Sequence, residues 1–309
     1  MSQSMEVTVS SHPAFELLRE APIESLSVVF QEYRHRMTGA RHYHLASASD
    51  ENVFMLALRT QPMNSTGVAH VLEHTVLCGS RRFPVRDPFF SMIKRSLNTF
   101  MNAFTSADWT AYPFATQNRQ DFDNLLSVYL DAVFFPSLHR LDFAQEGIRV
   151  ELDEQGKPSY KGIVFNEMKG AMSSPNDQLY HTLAEHLYPT TTYHYNSGGD
   201  PAHITELTHA DLLEFHRQHY HPSNAVFMTF GNIPAEALHA SFEQQALGQF
   251  LQAQPIRPQR EQRLGAPVTV QAPYAVDDTD LSEKTFHVLG WLLSEMTDTA
   301  NRLALRLLS

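Results

Sequence analysis

Three residues in one short stretch of the chain have the types and spacing of a catalytic metal site. The stretch, residues 66–80, reads TGVAHVLEHTVLCGS, and on a helical period His70, Glu73 and His74 share one face. Two imidazoles one turn apart can point ring nitrogens at one Zn²⁺ about 2.0–2.1 Å away. The glutamate beside them can take a proton from a water that the ion activates. The pattern therefore predicts zinc-dependent hydrolysis.

The residues around this motif predict a helix whose face opposite the motif is buried. Ser65 and Thr66 are N-cap types, and Gly79 favours a left-handed ending. The order His-x-x-Glu-His is the inverzincin pattern. The alternative is that the chain, which has 17 histidines, matches the His-x-x-Glu-His pattern by chance. The predicted cap and the apolar face of the helix disfavour that alternative. The side opposite the motif carries Val68, Val71, Leu72, Thr75 and Val76.

A second predicted helix, residues 161–172, offers a third ligand. Glu167 shares its face with apolar and small residues, where a buried carboxylate is costly unless a cation meets it. Two histidines, one carboxylate and a water form a known catalytic zinc set. We therefore expect Glu167 to complete the site, with Glu146 and Glu151 as less favoured candidates. An ion pair with Lys or Arg is the alternative for Glu167.

Composition limits the partners and the location. The net charge is -11 and no Lys or Arg cluster occurs, so no nucleic acid is expected as a partner. No run approaches about 18 apolar residues, so no membrane span is expected. The N-terminus lacks a signal or transit pattern, which predicts a cytoplasmic protein. The single cysteine, Cys78, excludes an internal disulfide and is expected in the core rather than on zinc.

The order of elements predicts an α+β fold, an antiparallel sheet with helices packed mainly on one face. Strands are predicted at residues 26–33, 40–47, 52–59 and 225–230, and a lead-in with one short helix at 12–23. Residues 98–116 predict a hairpin with polar side chains, open either to water or to an added peptide strand. Four histidines lie close together near residues 209–221, and we interpret them as helix-end residues rather than a second metal site. They are His209, His216, His219 and His221.

A change of composition predicts how the chain divides. Residues 252–273 contain QAQPIRPQREQ and are expected to be a linker. Residues 1–251 would then form the zinc-bearing domain, and residues 274–309 would begin a second domain. In that second part we expect a strand over residues 285–292 and a helix over residues 296–308.

Five sequence blocks match the motifs of a known family: GVAHVLEHTVLCGSRRFPVRDPF, LNTFMNAFTSADWTAYPFAT, YKGIVFNEMKG, SGGDP and FHRQHYHPSNA. They resemble the M16, or pitrilysin-type, metallopeptidases, and within them the branch of presequence protease and falcilysin. The resemblance implies that His70 and His74 are zinc ligands, Glu167 the third ligand and Glu73 the general base. It also implies that Asn102 and Ala103 pair with the backbone of an unfolded peptide substrate.

The chain is shorter than members of this branch. Those members form a clamshell of two similar halves around a chamber, and this chain would cover only the first domain and the beginning of the second. The resemblance therefore implies a piece of a larger enzyme whose C-terminal half is its partner, and low activity without that half. The missing transit pattern leads us to expect a bacterial enzyme. Two alternatives stay open: a peptide-binding or assembly module of the same fold that does not cleave, and a zinc hydrolase of small substrates. Loss of cleavage without loss of zinc in Glu73→Gln would separate the peptidase from both.

Overall fold

A mixed, mostly antiparallel sheet organises the computed structural model, which describes residues 12–276 and 279–308. Its order is β1-β2-β3-β10-β4-β7-β5, and the short β6 pairs with β7. Strands β8 and β9 form a separate hairpin. The strands are β1 (Phe15–Ile23), β2 (Val28–His35), β3 (Arg41–Ala46), β4 (Asn52–Arg59), β5 (Asn98–Met101), β6 (Phe104–Thr105), β7 (Trp109–Thr116), β8 (Arg149–Leu152), β9 (Pro158–Lys161) and β10 (Ala225–Gly231).

One face of the sheet is buried under helices. Alternate residues of β4, Phe54, Leu56 and Leu58, are almost inaccessible, while Met55 between them is partly exposed. This period of two is the pattern of a sheet covered on one side. The helices are α1 (Val68–Val76), α2 (Pro88–Arg95), α3 (Arg119–Phe134), α4 (Arg140–Glu146), α5 (Ile163–Ala171), α6 (Pro175–Leu187), α7 (Pro201–Ile204), α8 (His209–His219), α9 (Ala235–Gln245) and α10 (Thr299–Leu308).

Aromatic contacts join the covering helices to the sheet. Phe242 of α9 lies 4.8 Å from Phe227 of β10 and 5.8 Å from Phe54 of β4, measured between ring centroids. Phe134 of α3 packs on the same Phe227 at 6.4 Å. Large buried rings of this kind dominate core energetics. The predicted α+β class, with helices mainly on one face, is confirmed.

The structure corrects three details of the predicted elements. Residues 12–23 contain no helix, because Phe15–Ile23 pairs antiparallel with β2 as an edge strand. The sheet has one parallel pair, β3 with β10, in an otherwise antiparallel arrangement. Residues 285–292 form no strand, whereas α10 lies within the predicted terminal helix.

The predicted linker runs as extended chain without helix or strand. Several hydrogen bonds hold it: Arg59 Nη1 donates to the carbonyl of Ile256 at 2.6 Å, and Glu261 accepts from the hydroxyl of Thr191 at 2.6 Å. The domain boundaries at residues 251 and 274 stay predictions. Across the described residues, no helix combines the length and apolar character that crossing a bilayer requires.

Candidate metal centre

The metal-motif helix α1 begins against a glycine-rich loop. Gly67 is the N-cap, with φ of 70°, and a Cβ there would lie 2.8 Å from the carbonyl oxygen of Gly198. Glycine is required because the two backbones approach so closely and because φ is positive. Ser65 and Thr66 do not cap the helix with their side chains, contrary to expectation. Thr66 instead donates its hydroxyl to Asn64 at 2.6 Å.

Helices α1 and α5 bring three of the predicted residues together. Nε2 of His70 lies 3.8 Å from Oε2 of Glu167, and Nε2 of His74 lies 3.9 Å from the same oxygen. One ligand atom from each of the three residues falls within 4.8 Å of the others. Within the described parts of the chain, this is the one cluster of three or more histidine, cysteine or acidic residues close enough to share an ion.

In each of the two histidines, Nδ1 is hydrogen-bonded to an acceptor. Nδ1 of His70 donates to the carbonyl of Gly198 at 3.0 Å, and Nδ1 of His74 donates to Oε2 of Glu146 at 3.2 Å. Neither a carbonyl nor a carboxylate can donate in return, so both protons lie on Nδ1. The lone pairs of both Nε2 atoms are then available to a cation, the arrangement typical of zinc-binding histidines. The residues present therefore fit a zinc ion.

The electrostatics of this cluster also favour a cation. Burial opposes the charged imidazole of His74, yet its hydrogen bond to Glu146 and the Glu73 and Glu167 carboxylates together hold the pKa of His74 above its usual value. A site that raises the pKa of a histidine in this way is negative enough to attract a positive ion.

Glu167 reaches the cluster for a different reason from the one expected. Its side chain is 55% exposed, and Ile163, Gly170 and Ala171 on the same helix are exposed as well. The cost of burying a carboxylate therefore does not hold Glu167 in place here. It projects from α5 across open space toward α1.

The less favoured ligand candidates occupy other positions. Glu146 is 4% exposed and meets the far side of His74, so it orients that ring. Glu151 is exposed on β8 and pairs with Arg149 at 2.6 Å. Cys78 is buried as expected, and burial raises the pKa of its thiol. Sequence reasoning missed the orienting contacts of Glu146 and Gly198, although both lie in segments it had singled out.

The predicted general base, Glu73, faces the cluster from α1. It is 8% exposed, and its Oε2 accepts a hydrogen bond from the Thr105 hydroxyl at 2.7 Å. Two buried tyrosines, Tyr112 and Tyr220, lie nearby with their hydroxyls 2.8 Å apart. Burial raises the pKa of both tyrosines, and each is raised further by the Glu73 charge.

The sheet edge at β5 and β6 borders the same cleft. Asn102 interrupts the edge: its N–H donates to Pro113 at 3.1 Å and its carbonyl accepts from Tyr129 at 3.3 Å, so its backbone faces inward. The N–H of Ala103 is bonded by the side chain of Asn102 at 2.9 Å, on the exposed side. The cleft measures about 470 Å³ and is lined by His70, Glu73, His74, Asn102, Ala103, Phe104, Thr105, Glu167, Met168 and Gly198.

Three of the four histidines near α8 bond to backbone carbonyls, and His221 accepts from the N–H of Ser223 at 3.1 Å. Nε2 of His209 lies 2.8 Å from the Leu138 carbonyl, and Nε2 of His216 lies 3.1 Å from that of Val133. His219 bonds to the carbonyl of its own preceding turn. These contacts agree with the interpretation that they are helix-end residues.

Comparison with known proteins identifies the family. A model described as "Insulinase (Peptidase family M16)" matches residues 59–184, and one described as "Peptidase M16 inactive domain" matches residues 206–309. With the fold and the His-x-x-Glu-His helix, these matches show that the chain belongs to the M16 peptidase family. Among solved structures, pitrilysin superposes with a TM-score of 0.64 at 18% identity, covering 84% of this chain and 26% of that one.

Within that family the sequence is similar to presequence proteases. It is 46% identical to "Presequence protease, mitochondrial" of Xenopus laevis over 96% of this chain, and 45% identical to the Mus musculus protein of that name over the same share. The chain spans only 29% of the length of each of these relatives. The prediction of a bacterial cytoplasmic protein is wrong, because these high-identity relatives are mitochondrial proteins of eukaryotes.

Proposed function

We propose that this chain is the zinc-bearing part of an endopeptidase that hydrolyses unfolded peptides. The observation that carries the proposal is the convergence of two histidine Nε2 atoms and Glu167 within 4.8 Å, with Glu73 beside them. When bound, a zinc ion would polarise the scissile carbonyl and make water nucleophilic near neutral pH. His70, His74 and Glu167 would hold that ion.

Glu73 has the position required of the general base. Its Oε2 is bonded to Thr105, which leaves Oε1 free to take a proton from the attacking water. The same carboxyl group would then give the proton to the leaving amine as the peptide bond breaks. General acid–base catalysis of this kind contributes about 10²–10⁴-fold to a rate.

The substrate that fits the cleft is an extended peptide. The edge formed by β5 and β6 lies open beside the metal cluster, and Asn102 and Ala103 line the cleft with it. An unpaired strand edge binds a peptide through main-chain hydrogen bonds with little dependence on sequence. The acidic chain favours basic peptides, in keeping with the name presequence protease that its relatives carry.

We also propose that a further, C-terminal portion is needed for full activity. The chain spans 29% of its Xenopus laevis relative, and the Glu167 side of the cluster is open to solvent. Exclusion of water from the reacting groups strengthens every charge interaction among them. A second half closing over the cleft would supply that exclusion, with residues 252–273 as the connection and residues 274–309 as the start of the next domain.

A paired measurement tests the function. We would measure zinc content and hydrolysis of a mixed unfolded peptide for this chain and for an extended chain. The extended chain is this sequence followed by the part of the Xenopus laevis relative beyond its matched segment. We expect one zinc in each, cleavage chiefly by the extended chain, and loss of cleavage with retention of zinc in Glu73→Gln. Absence of zinc binding would overturn the proposal, and zinc binding without cleavage would favour a peptide-binding module.

A further inference from the structure

We propose that Thr105 is a positioning residue for Glu73, and this inference rests on the function proposed above. The Thr105 hydroxyl donates to Oε2 of Glu73 over 2.7 Å. A hydroxyl bonded to a carboxylate is a charge-assisted hydrogen bond, which is shorter and stronger than a neutral one. The contact joins helix α1 to the edge strand β6, which packs beside it.

The backbone holds Thr105 in place for this contact. Thr105 pairs with Thr110 of β7 and Phe104 pairs with Ala111, so β6 is fixed from its inner side. The turn that follows is closed by the N–H of Ser106, which donates to the Trp109 carbonyl at 2.8 Å. Neighbouring residues of a strand point to opposite faces. Phe104 is accordingly 42% exposed, whereas Thr105 turns toward the metal helix.

No other group in the described residues donates a hydrogen bond to the Glu73 carboxylate. Thr105 supplies the one hydrogen bond that reaches the Glu73 carboxylate in residues 12–276 and 279–308. The nearest buried hydroxyls, those of Tyr112 and Tyr220, bond to each other. Glu73 is 8% exposed, so little water can replace a lost donor. Without Thr105 its terminal torsion, which is intrinsically broad, would be free to turn.

The position of Thr105 gives the contact a second consequence. It lies two residues beyond Ala103, on the same edge segment and in the same cleft. A peptide paired to that edge would therefore be aligned by the backbone that also fixes the base. Catalysis is sensitive to such alignment, since a misplacement of about 1 Å can cost about 10²-fold in rate.

The test compares Thr105→Val, which keeps the shape and removes the hydroxyl, with Thr105→Ser, which keeps the hydroxyl. Thr190→Val is the matched control, because the exposed Thr190 hydroxyl also donates to a carboxylate, that of Glu261 at 2.6 Å, and Thr190 does not line the cleft. In the extended chain we expect Thr105→Val to lower kcat by about 10- to 100-fold with KM within about twofold. Thr105→Ser should restore kcat to within about threefold, and Thr190→Val should leave it unchanged.

A second readout does not depend on activity. Crystal structures of the zinc-free chain should show one Glu73 conformer in wild type and in Thr105→Ser, and several or a displaced one in Thr105→Val. Absorption spectra of the Co²⁺-substituted variants should match wild type, because the side-chain hydrogen bond of Thr105 goes to Glu73 and not to a proposed ligand. Normal kcat together with an unmoved Glu73 in Thr105→Val would overturn this inference. If wild type itself binds no zinc or Glu73→Gln still cleaves, the proposed function fails instead.

Discussion

His74 donates from Nδ1 to Oε2 of Glu146 over 3.2 Å, and its other nitrogen faces Glu167. Glu146 is 4% exposed, so this buried carboxylate is compensated by the imidazole rather than by water. The contact fixes both the tautomer and the angle of the ring. Glu146, which the sequence analysis considered as a possible metal ligand, therefore orients the proposed ligand His74 instead of binding the ion itself.

Glu146→Gln should weaken zinc binding by about 10- to 100-fold, because the ring loses a charged acceptor that keeps its proton on Nδ1. Competition with a calibrated chelator measures the dissociation constant. Glu151→Gln is the matched control, since Glu151 is exposed and pairs only with Arg149 among the described contacts. Equal zinc affinity in the two variants would show that Glu146 has no orienting role.

Gly67→Ala should destabilise the zinc-free chain by about 2–3 kcal/mol and also weaken zinc binding. The new Cβ meets the Gly198 carbonyl at 2.8 Å, and this is the carbonyl that orients His70. Gly39→Ala separates backbone strain from the steric clash. Gly39 also has a positive φ, 78°, but a Cβ there would meet no atom of the described residues within 4 Å. That control should lose about 1 kcal/mol from backbone strain alone and keep its zinc affinity. Urea unfolding of both variants measures the difference, and equal losses would argue against the close approach.

Removal of zinc should lower the free energy of unfolding by about 4 kcal/mol when free zinc had been a thousandfold above its dissociation constant. Glu167→Gln should abolish most of this gain yet leave the zinc-free chain as stable as wild type, because Glu167 is 55% exposed. Thermal unfolding with and without chelator gives both quantities. A zinc-free Glu167→Gln that is itself unstable would mean that Glu167 supports the fold.

Acid should destabilise the zinc-free chain through buried histidines far from the metal site. His42 bonds to His239 at 2.8 Å and to Thr229 at 2.8 Å, and His44 bonds to the same threonine at 2.7 Å. Burial lowers the pKa of His44 to about 4 and that of His239 to about 3. Burial, with the neighbouring His239 and His44, also holds the pKa of His42 well below its usual value.

The sign of this effect follows from which state binds protons. An unfolded histidine titrates near pH 6.5, so below that pH the unfolded chain binds more protons than the folded one. The free energy of unfolding is therefore highest above about pH 6.5 and falls toward pH 4, by up to about 1.4 kcal/mol per pH unit per histidine. His44→Gln should flatten the slope by about one proton, and the exposed His186→Gln should not. Denaturant midpoints at several pH values measure it, and an unchanged slope in His44→Gln would contradict this account.

Local sequence signals predicted the elements around the site well. The strand Asn52–Arg59 was predicted residue for residue, because it is a short run rich in Val, Phe and Leu between turn residues. Helix α8 begins with a capping box between Thr208 and Asp211, a pair whose types and spacing are visible in the sequence. The first strand was missed, since FELLRE is rich in helix formers and only pairing with β2 makes it extended.

The contacts that complete the site could not be predicted in the same way. Gly198 is 128 residues from His70, Glu146 is 72 residues from His74, and Thr105 is 32 residues from Glu73. No local propensity relates such pairs, because tertiary packing alone brings them together. The residue types were visible in the sequence, and their pairing was not.

The complete sheet cannot form before strand β10, which comes late in the sequence, has paired with its neighbours. This strand lies between β3 and β4, pairing parallel with one and antiparallel with the other, although it follows them by more than 150 residues. Until residues 225–231 arrive, β1–β3 and β4–β7 are two separate sheets with unpaired edges. Long-range pairing of this kind slows folding, because loop closure precedes any gain in contacts. A ribosome must therefore release most of this chain before helix α1 can rest on a complete sheet.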